Sequence, residues 1–290
     1  MGPDADLATR ARYGRWLVVR TVASSGAGHI GGPLSAMDLW VALYFRVLNI
    51  RPADPAWPHR DRFILSKGHS AIGLYAVMAQ RGYFPVDELA TFDRGDSRLQ
   101  GHPDMTCLPG LDASTGSLGQ GLAVGVGIAL GARLRGLPFR TWVMLGDGEC
   151  QEGMVWEATL AASRLGLENL MAIVDVNGLQ QYGLPKVLEA SRGDRREPWP
   201  GDQLRRVFQS FDWRVLDVDG HDFDSILAAC DIARDGKSAG RPTVILARTI
   251  KGRGLSFMEG RHAWHARIPT PDEVEQARLE LGIDESGRPA

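Results

Sequence analysis

Two oxygen-bearing side chains stand 30 residues apart: Asp147, inside Gly146-Asp147-Gly148, and Asn177. A carboxylate, an amide oxygen and neighbouring main-chain carbonyls are hard donors, which suit Mg²⁺ or Ca²⁺ better than zinc. Two or three such ligands leave coordination positions for water and phosphate oxygens, the habit of Mg²⁺. Gly148 lets the main chain approach a phosphate and offer its N–H. The same residues also fit an Asp-Gly turn and an Asn that ends a strand, and spacing alone does not choose between the two.

Imidazoles add to this picture. Of the seven histidines, four follow a glycine directly: His29, His69, His102 and His221. Glycine lets the chain bend sharply and present the next side chain at close range. His221, in Asp219-Gly220-His221-Asp222, reads instead as part of a turn and helix cap, and His59 as a solvated loop residue. Only His262 and His265 are closely spaced, and no cysteine pair accompanies them, which argues against a zinc cluster.

The elements that must position these residues follow from hydrophobic patterning. Thr141 to Leu145 is a continuous apolar run, as expected of a strand buried on both faces. Glu152 to Arg164 has helical spacing, and Leu170 to Val176 is the next strand, giving a parallel βαβ unit. Arg62 to Leu65 and Thr243 to Thr249 are two more strands. Asp147, Asn177 and Lys251 therefore fall in loops at the carboxyl ends of parallel strands, where open α/β sheets bind ligands. Helices are expected from about Asp6 to Ala23, from Ser35 (as N-cap) to Val47 as an amphipathic element, and from Ala71 to Arg81. Ser191 to Gln203 reads as an exposed, breaker-rich loop, and Ile283 to Ala290 as a frayed tail. The expected fold is one α/β domain over residues 1–290, a doubly wound, mostly parallel sheet with helices on both faces.

Leu118 to Leu134 is glycine-rich and apolar, but it is short and contains Gln120 and Arg133. It fits a buried, closely packed helix rather than a membrane span. Its glycines at 121, 125 and 127 imitate a dinucleotide-binding turn, yet a loop-like segment precedes them where that motif needs a strand. The glycines at 121, 125, 127 and 131 are expected to thin the helix so that another backbone packs on it.

The 290 residues carry 33 basic and 35 acidic groups, a net charge of −2, which gives no general attraction to nucleic acid or anionic membrane. Three scattered cysteines and a polar stretch from Met1 to Arg12 point to a reduced, cytoplasmic protein without a signal peptide.

Gly146-Asp147-Gly148 followed by Asn177 resembles the thiamine diphosphate motif. Ser25–Pro33 (SGAGHIGGP), Asp61–His69 (DRFILSKGH), Gly101–Asp104 (GHPD), Thr115–Gly121 (TGSLGQG), Gly146–Gly153 (GDGECQEG), Lys251–Gly254 (KGRG) and Trp264-His265 resemble transketolase segments in the same order. The likeness runs from about residue 10 to 270 and covers only the diphosphate-binding first domain of that family. It implies the N-terminal subunit of a split transketolase, with the pyrimidine-binding and C-terminal domains on a separate partner chain in an α₂β₂ assembly.

By resemblance, Asp147, Asn177 and the carbonyl of Leu179 hold Mg²⁺ (with Ca²⁺ or Mn²⁺ as substitutes). Gly148 contacts a phosphate. His69, Lys251 and His265 lie near the diphosphate and thiazolium, and Gly116, Ser117 and Leu118 line the cofactor's midsection. His29, His102 and His265 act on the sugar, and Glu152 meets the partner domain. His262 matches less well than His265, because the family's histidine follows the tryptophan. The chain departs from the family's Asn-Asn pair, with Val176 in the first place, and has Ile30 after His29 where many full-length relatives have Pro. The implied reaction moves a two-carbon ketol unit from a ketose, or its phosphate, to an aldose, active only with the partner, whose chain carries the cofactor-activating glutamate. A 2-oxo acid dehydrogenase-like or deoxyxylulose-phosphate synthase-like subunit, and a non-catalytic assembly subunit, are the alternatives.

Overall fold

A computed structural model describes residues 6–181, 199–236 and 238–289. Five strands form one sheet: β1 (Arg62–Leu65), β2 (Thr141–Gly146), β3 (Leu170–Val176), β4 (Arg214–Asp219) and β5 (Thr243–Arg248). Their spatial order is β1-β2-β3-β5-β4, and every pairing is parallel. The central strands β2 and β3 are buried along nearly their whole length, which is why they read as unbroken apolar runs. The register sets Gly146 beside Asp175, so the loops after β2 and β3 leave the sheet side by side.

Helices cover both faces. On one side lie α1 (Leu7–Ser25), α2 (Gly31–Ser35), α3 (Met37–Ala42) and α4 (Ala71–Arg81), packed with Trp142, Met144, Met171 and Ile173 in one hydrophobic core. The other core joins α5 (Gln120–Leu134), α6 (Gly153–Arg164) and α7 (Pro200–Ser210) to Val143, Leu145, Ala172 and Val174. Alternate side chains of the same strands thus feed opposite cores, as the two-residue period of a strand requires. Two further helices among the described residues are α8 (Phe223–Arg234) and α9 (Pro271–Glu280). Local chemistry sets several ends. Asp6 caps α1 by accepting from Thr9 N, Gly26 closes that helix in the left-handed conformation, and Thr270 with Glu273 forms a capping box on α9.

The element expected from Ser35 to Val47 differs. Ser35 ends α2 and caps nothing; α3 follows, and Leu43–Val47 widens into a π-helical turn. Residues Ile30 to Leu43 are almost wholly buried, so the segment is apolar all round rather than amphipathic. Most of the expected Ser191–Gln203 loop lies outside the described residues, but Pro200 to Gln203 open α7, with Pro200 at the first helical position that proline tolerates. Strand β4 escaped the sequence pattern because it is a half-exposed edge strand with one neighbour. The expected frayed tail instead closes a turn: Ile283 is buried and bridges Pro289, and Asp284 N donates to the Arg288 carbonyl at 2.8 Å.

Two of the four glycines on α5 thin the helix as expected. A Cβ on Gly121 would stand 2.4 Å from Ser66 Oγ, and one on Gly125 would stand 2.5 Å from Val143 Cγ2. Gly127 and Gly131 face open space, so close packing does not account for them.

Candidate functional site

At the carboxyl ends of the strands lies a cavity of about 560 Å³. It is lined by His29, His69, His102, Gly116, Leu118, Asp147, Gly148, Glu152, Asn177, Leu179, Lys251 and His265, so the structure gathers nearly all the residues singled out from sequence. Ser117 is exposed and lies outside the lining, as does His262.

One side of the cavity is built of oxygens. Asp147 Oδ2 accepts from Gly178 N at 2.6 Å and Oδ1 from Gly148 N at 2.8 Å. The first bond folds the loop after β3 over the loop after β2, and Gly178 permits it with φ of 74°, in the left-handed region. Asn177 Oδ1 accepts from Leu179 N at 3.0 Å, while its Nδ2 donates to Asp175 at 3.3 Å. Burial, reinforced by the charge of Asp175, raises the Asp147 carboxyl to about 6. A carboxylate so poorly compensated favours an added cation.

The Lys251 ammonium donates to main-chain carbonyls of the loop after β3, 3.1 Å from that of Gln180 and 3.5 Å from that of Leu179. Among the described residues no three His, Cys, Asp or Glu side chains gather as a metal cage. The oxygens expected from sequence, the Asp147 carboxylate, the Asn177 amide and the Leu179 carbonyl, are hard donors of the kind that suits Mg²⁺ completed by non-protein oxygens. Gly148 N–H, the expected phosphate donor, is turned to Asp147 here.

Beneath these residues is a charged layer that sequence reading missed. Lys67 Nζ lies 2.5 Å from Asp175 Oδ2, with both side chains at 2% exposure or less. Asp175 also accepts from Ser35 Oγ at 2.6 Å and from the Thr249 hydroxyl. Burial alone would raise the Asp175 carboxyl, but the Lys67 ammonium and these bonds hold it below the usual range. Glu149, equally buried, accepts from Ser66 Oγ at 2.5 Å, Gly119 N at 2.9 Å and Gly146 N at 3.1 Å, fastening the loop that carries Asp147. The available signal was an acid inside a strand buried on both faces, which cannot stay charged without a partner.

The opposite side is imidazole. The His29 ring centroid lies 5.1 Å from that of His69, 4.9 Å from His265 and 6.4 Å from His102. Burial lowers His69 to about 2, aided by Lys67 and the neighbouring imidazoles, and lowers His265 to about 4, aided by Lys251 and His29. His29 is lowered for the same reason, with His102 and Lys251 contributing. Lys251 Nζ lies 3.0 Å from His265 Nδ1. An ammonium donating there leaves the His265 proton on Nε2. Lys251 is itself lowered to about 8 by burial and by Lys67.

His221 stands outside the cavity yet supports it. Its Nε2 accepts from Ile250 N at 2.9 Å, so its Nδ1–H donates to Asp38, 2.7 Å away and ion-paired to Arg15. The turn and cap expected of this segment are present, Asp222 accepting from Asp224 N and Ser225 N, and the histidine adds a tie to the loop bearing Thr249 and Lys251.

A parallel sheet with carboxylates, amide and carbonyl oxygens and a histidine cluster beyond its strand ends has the chemistry of a site for a diphosphate-bearing cofactor. Residues 8–288 match the family described as transketolase, thiamine diphosphate binding domain. The chain is 41% identical over 267 residues to one subunit of the apulose-4-phosphate transketolase of Actinobacillus succinogenes, covering 92% of each. It is 39% identical over 276 residues to the 6-deoxy-6-sulfo-D-fructose transketolase subunit of Clostridium sp. (strain MSTE9), covering 95% of this chain and 96% of that one. The crystal structure of transketolase from Campylobacter jejuni superposes with a TM-score of 0.84 at 28% identity, over 96% of this chain and 43% of that one. The chain belongs to the transketolase family, and what it contains is the family's thiamine diphosphate-binding domain.

Proposed function

We propose that this chain is the diphosphate-binding subunit of a two-chain transketolase that moves a two-carbon ketol unit from a ketose, or its phosphate, to an aldose. The observation that carries this reading is one cavity in which a half-buried carboxylate at the end of β2 faces three neutral imidazoles. Asp147, Asn177 and the Leu179 carbonyl would hold Mg²⁺. Gly148, Lys251 and His69 would lie along the diphosphate, and Gly116, Ser117 and Leu118 along the middle of the cofactor. Thiamine diphosphate, when bound, supplies a carbanion equivalent for cleaving the carbon–carbon bond beside a ketose carbonyl.

The residues of this chain bind, orient and move protons. His29, kept neutral by burial, is suited to take a proton from a sugar hydroxyl. His265 offers Nε2–H to a developing oxyanion, with Lys251 fixing its tautomer. His102, exposed at the rim, would meet the reacting carbonyl or an adjacent hydroxyl.

A separate chain carrying the pyrimidine-binding and C-terminal domains is proposed as partner, in an α₂β₂ assembly. The chain spans 41% of the transketolase of Pongo abelii, and it matches relatives named as subunits over nearly their full length. Glu152 is exposed at the cavity mouth, where a partner domain would meet it. A cytoplasmic location accords with three free cysteines.

Reconstitution tests the reading. The chain mixed with its partner should transfer ketol units from xylulose 5-phosphate and ignore pyruvate as donor, and the purified chain alone should not turn over. Pyruvate-dependent turnover would select the 2-oxo acid dehydrogenase or deoxyxylulose-phosphate synthase alternative. Cofactor affinity untouched by Asp147→Ala would select a scaffold.

A further inference from the structure

The other end of the sheet holds a second cavity, of about 590 Å³, beside the residues that lead into β1 and β2. Arg140 and Asp147 sit at opposite ends of β2, roughly 20 Å apart at the rise of a strand, so this cavity is independent of the proposed cofactor site. Arg46, Arg140 and Arg234 line it together with His59, Trp57 and Asp61. Arg46 comes from the π-helical turn, Arg140 from the approach to β2 and Arg234 from the last turn of α8. Three separate elements thus bring a guanidinium to one concavity.

Among the described residues none of the three is in an ion pair. Arg140 Nη2 donates to the Arg234 carbonyl at 2.7 Å, Arg46 Nη1 reaches the carbonyl of Phe45 at 3.2 Å, and Arg234 Nε is buried without an acceptor. Each guanidinium has five N–H donors, so most of this capacity is unused. Asp61 is the one carboxylate on the wall. Its oxygens accept from Asn49 N at 2.9 Å and Arg140 N at 2.8 Å, which makes it a fastener of the wall. Asp235, next to Arg234 in sequence, pairs instead with Arg214.

Like charges converging on a concavity focus a positive potential, and the guanidinium fork matches phosphate oxygens in pairs. The volume exceeds what a bare anion needs and lies within the range of small-molecule sites. Trp57 adds a flat wall, held by Arg51 at 3.8 Å from its ring centre and by the edge of His59.

We propose that this cavity binds a phosphate ester of a small polar molecule, with the phosphate among Arg46, Arg140 and Arg234 and the organic body against Trp57. Isothermal titration of the full chain with glucose 6-phosphate and, separately, with inorganic phosphate tests it. The ester should bind saturably and about tenfold tighter than phosphate, and the Arg46→Gln/Arg234→Gln variant should weaken it by at least about tenfold while leaving the circular dichroism unchanged. Neither substitution removes a side-chain bond between elements, so the fold should survive. Asp147→Asn should leave this binding unaltered, which separates the site from the one proposed for the cofactor. No saturable binding of the ester up to ~10 mM, or binding that Asp147→Asn abolishes and the double arginine variant leaves intact, overturns the site. Equal affinity for phosphate and ester overturns the organic body.

Discussion

On the oxygen side of the cofactor cavity, charge is kept and compensated: Asp175 faces Lys67, two hydroxyls and an amide at no exposure to solvent. On the imidazole side, charge is refused: His29, His69 and His265 lose their protons because burial and nearby ammonium groups make a second cation costly. The same lysines, Lys67 and Lys251, act on both sides. Lys67 holds Asp175 ionised on one wall, and the two ammonium groups help keep the imidazoles neutral on the other, while Asp147 stays short of positive charge. Two cations thereby divide the cavity into an ionised half and a neutral half.

Breaking the compensated half should have the largest effect. Lys67→Met leaves Asp175 charged and buried, and should destabilise the chain by about 3–5 kcal/mol in urea unfolding. Lys67→Met/Asp175→Asn should recover part of that loss, because the amide is neutral and its oxygen can still accept from one of the two hydroxyls, Ser35 or Thr249. Next in size, Asp147→Ala should weaken Mg²⁺-dependent thiamine diphosphate binding by at least about a hundredfold, the upper range for disturbing residues around a metal, as read by calorimetry on the reconstituted complex.

The imidazole half should reveal itself through pH. Histidine in the unfolded chain titrates near 6.5, whereas His69 and His265 in the fold titrate at about 2 and about 4. Their folded values are depressed, so their contribution is complete above pH 6.5 and is lost as pH falls toward the folded values. Between pH 7 and pH 5 the chain should lose about 1 kcal/mol for each of the two, after discounting for partial exposure. His69→Asn should flatten that acid limb by half. The smallest effect tests the tie between the halves. His221→Phe removes the acceptor for Ile250 N and should loosen Lys251, weakening cofactor binding about tenfold without loss of helical signal. His221→Gln, whose amide oxygen can accept from Ile250 N, should restore part of it.

Much of the layout was legible before any coordinates. Strands β2 and β3 announce themselves as apolar runs, and the Gly-Asp-Gly break between β2 and α6 places Asp147 at a strand end. The histidine cluster followed from family resemblance, since nothing in the spacing of residues 29, 69, 102 and 265 says that their rings meet. The charged layer was hidden for a physical reason. Lys67, Glu149 and Asp175 derive their meaning from partners up to 140 residues away in sequence. Strand β4 and the start of α7 were lost because exposure dilutes hydrophobic period, and breakers such as Pro200 serve helix starts as well as loops.

Cys150 lies in the short turn just after Asp147, fully enclosed, and burial together with the charges of Glu149 and Asp147 pushes its thiol well above the ordinary range. Cys230, on α8, is pushed up to about 12 by burial. Thiolate is the reactive form, so neither sulfur is a target for mild oxidants or alkylating agents while the fold holds. Cys107, the exposed third, offers a single attachment point for a fluorophore on the native chain, five residues along the chain from His102.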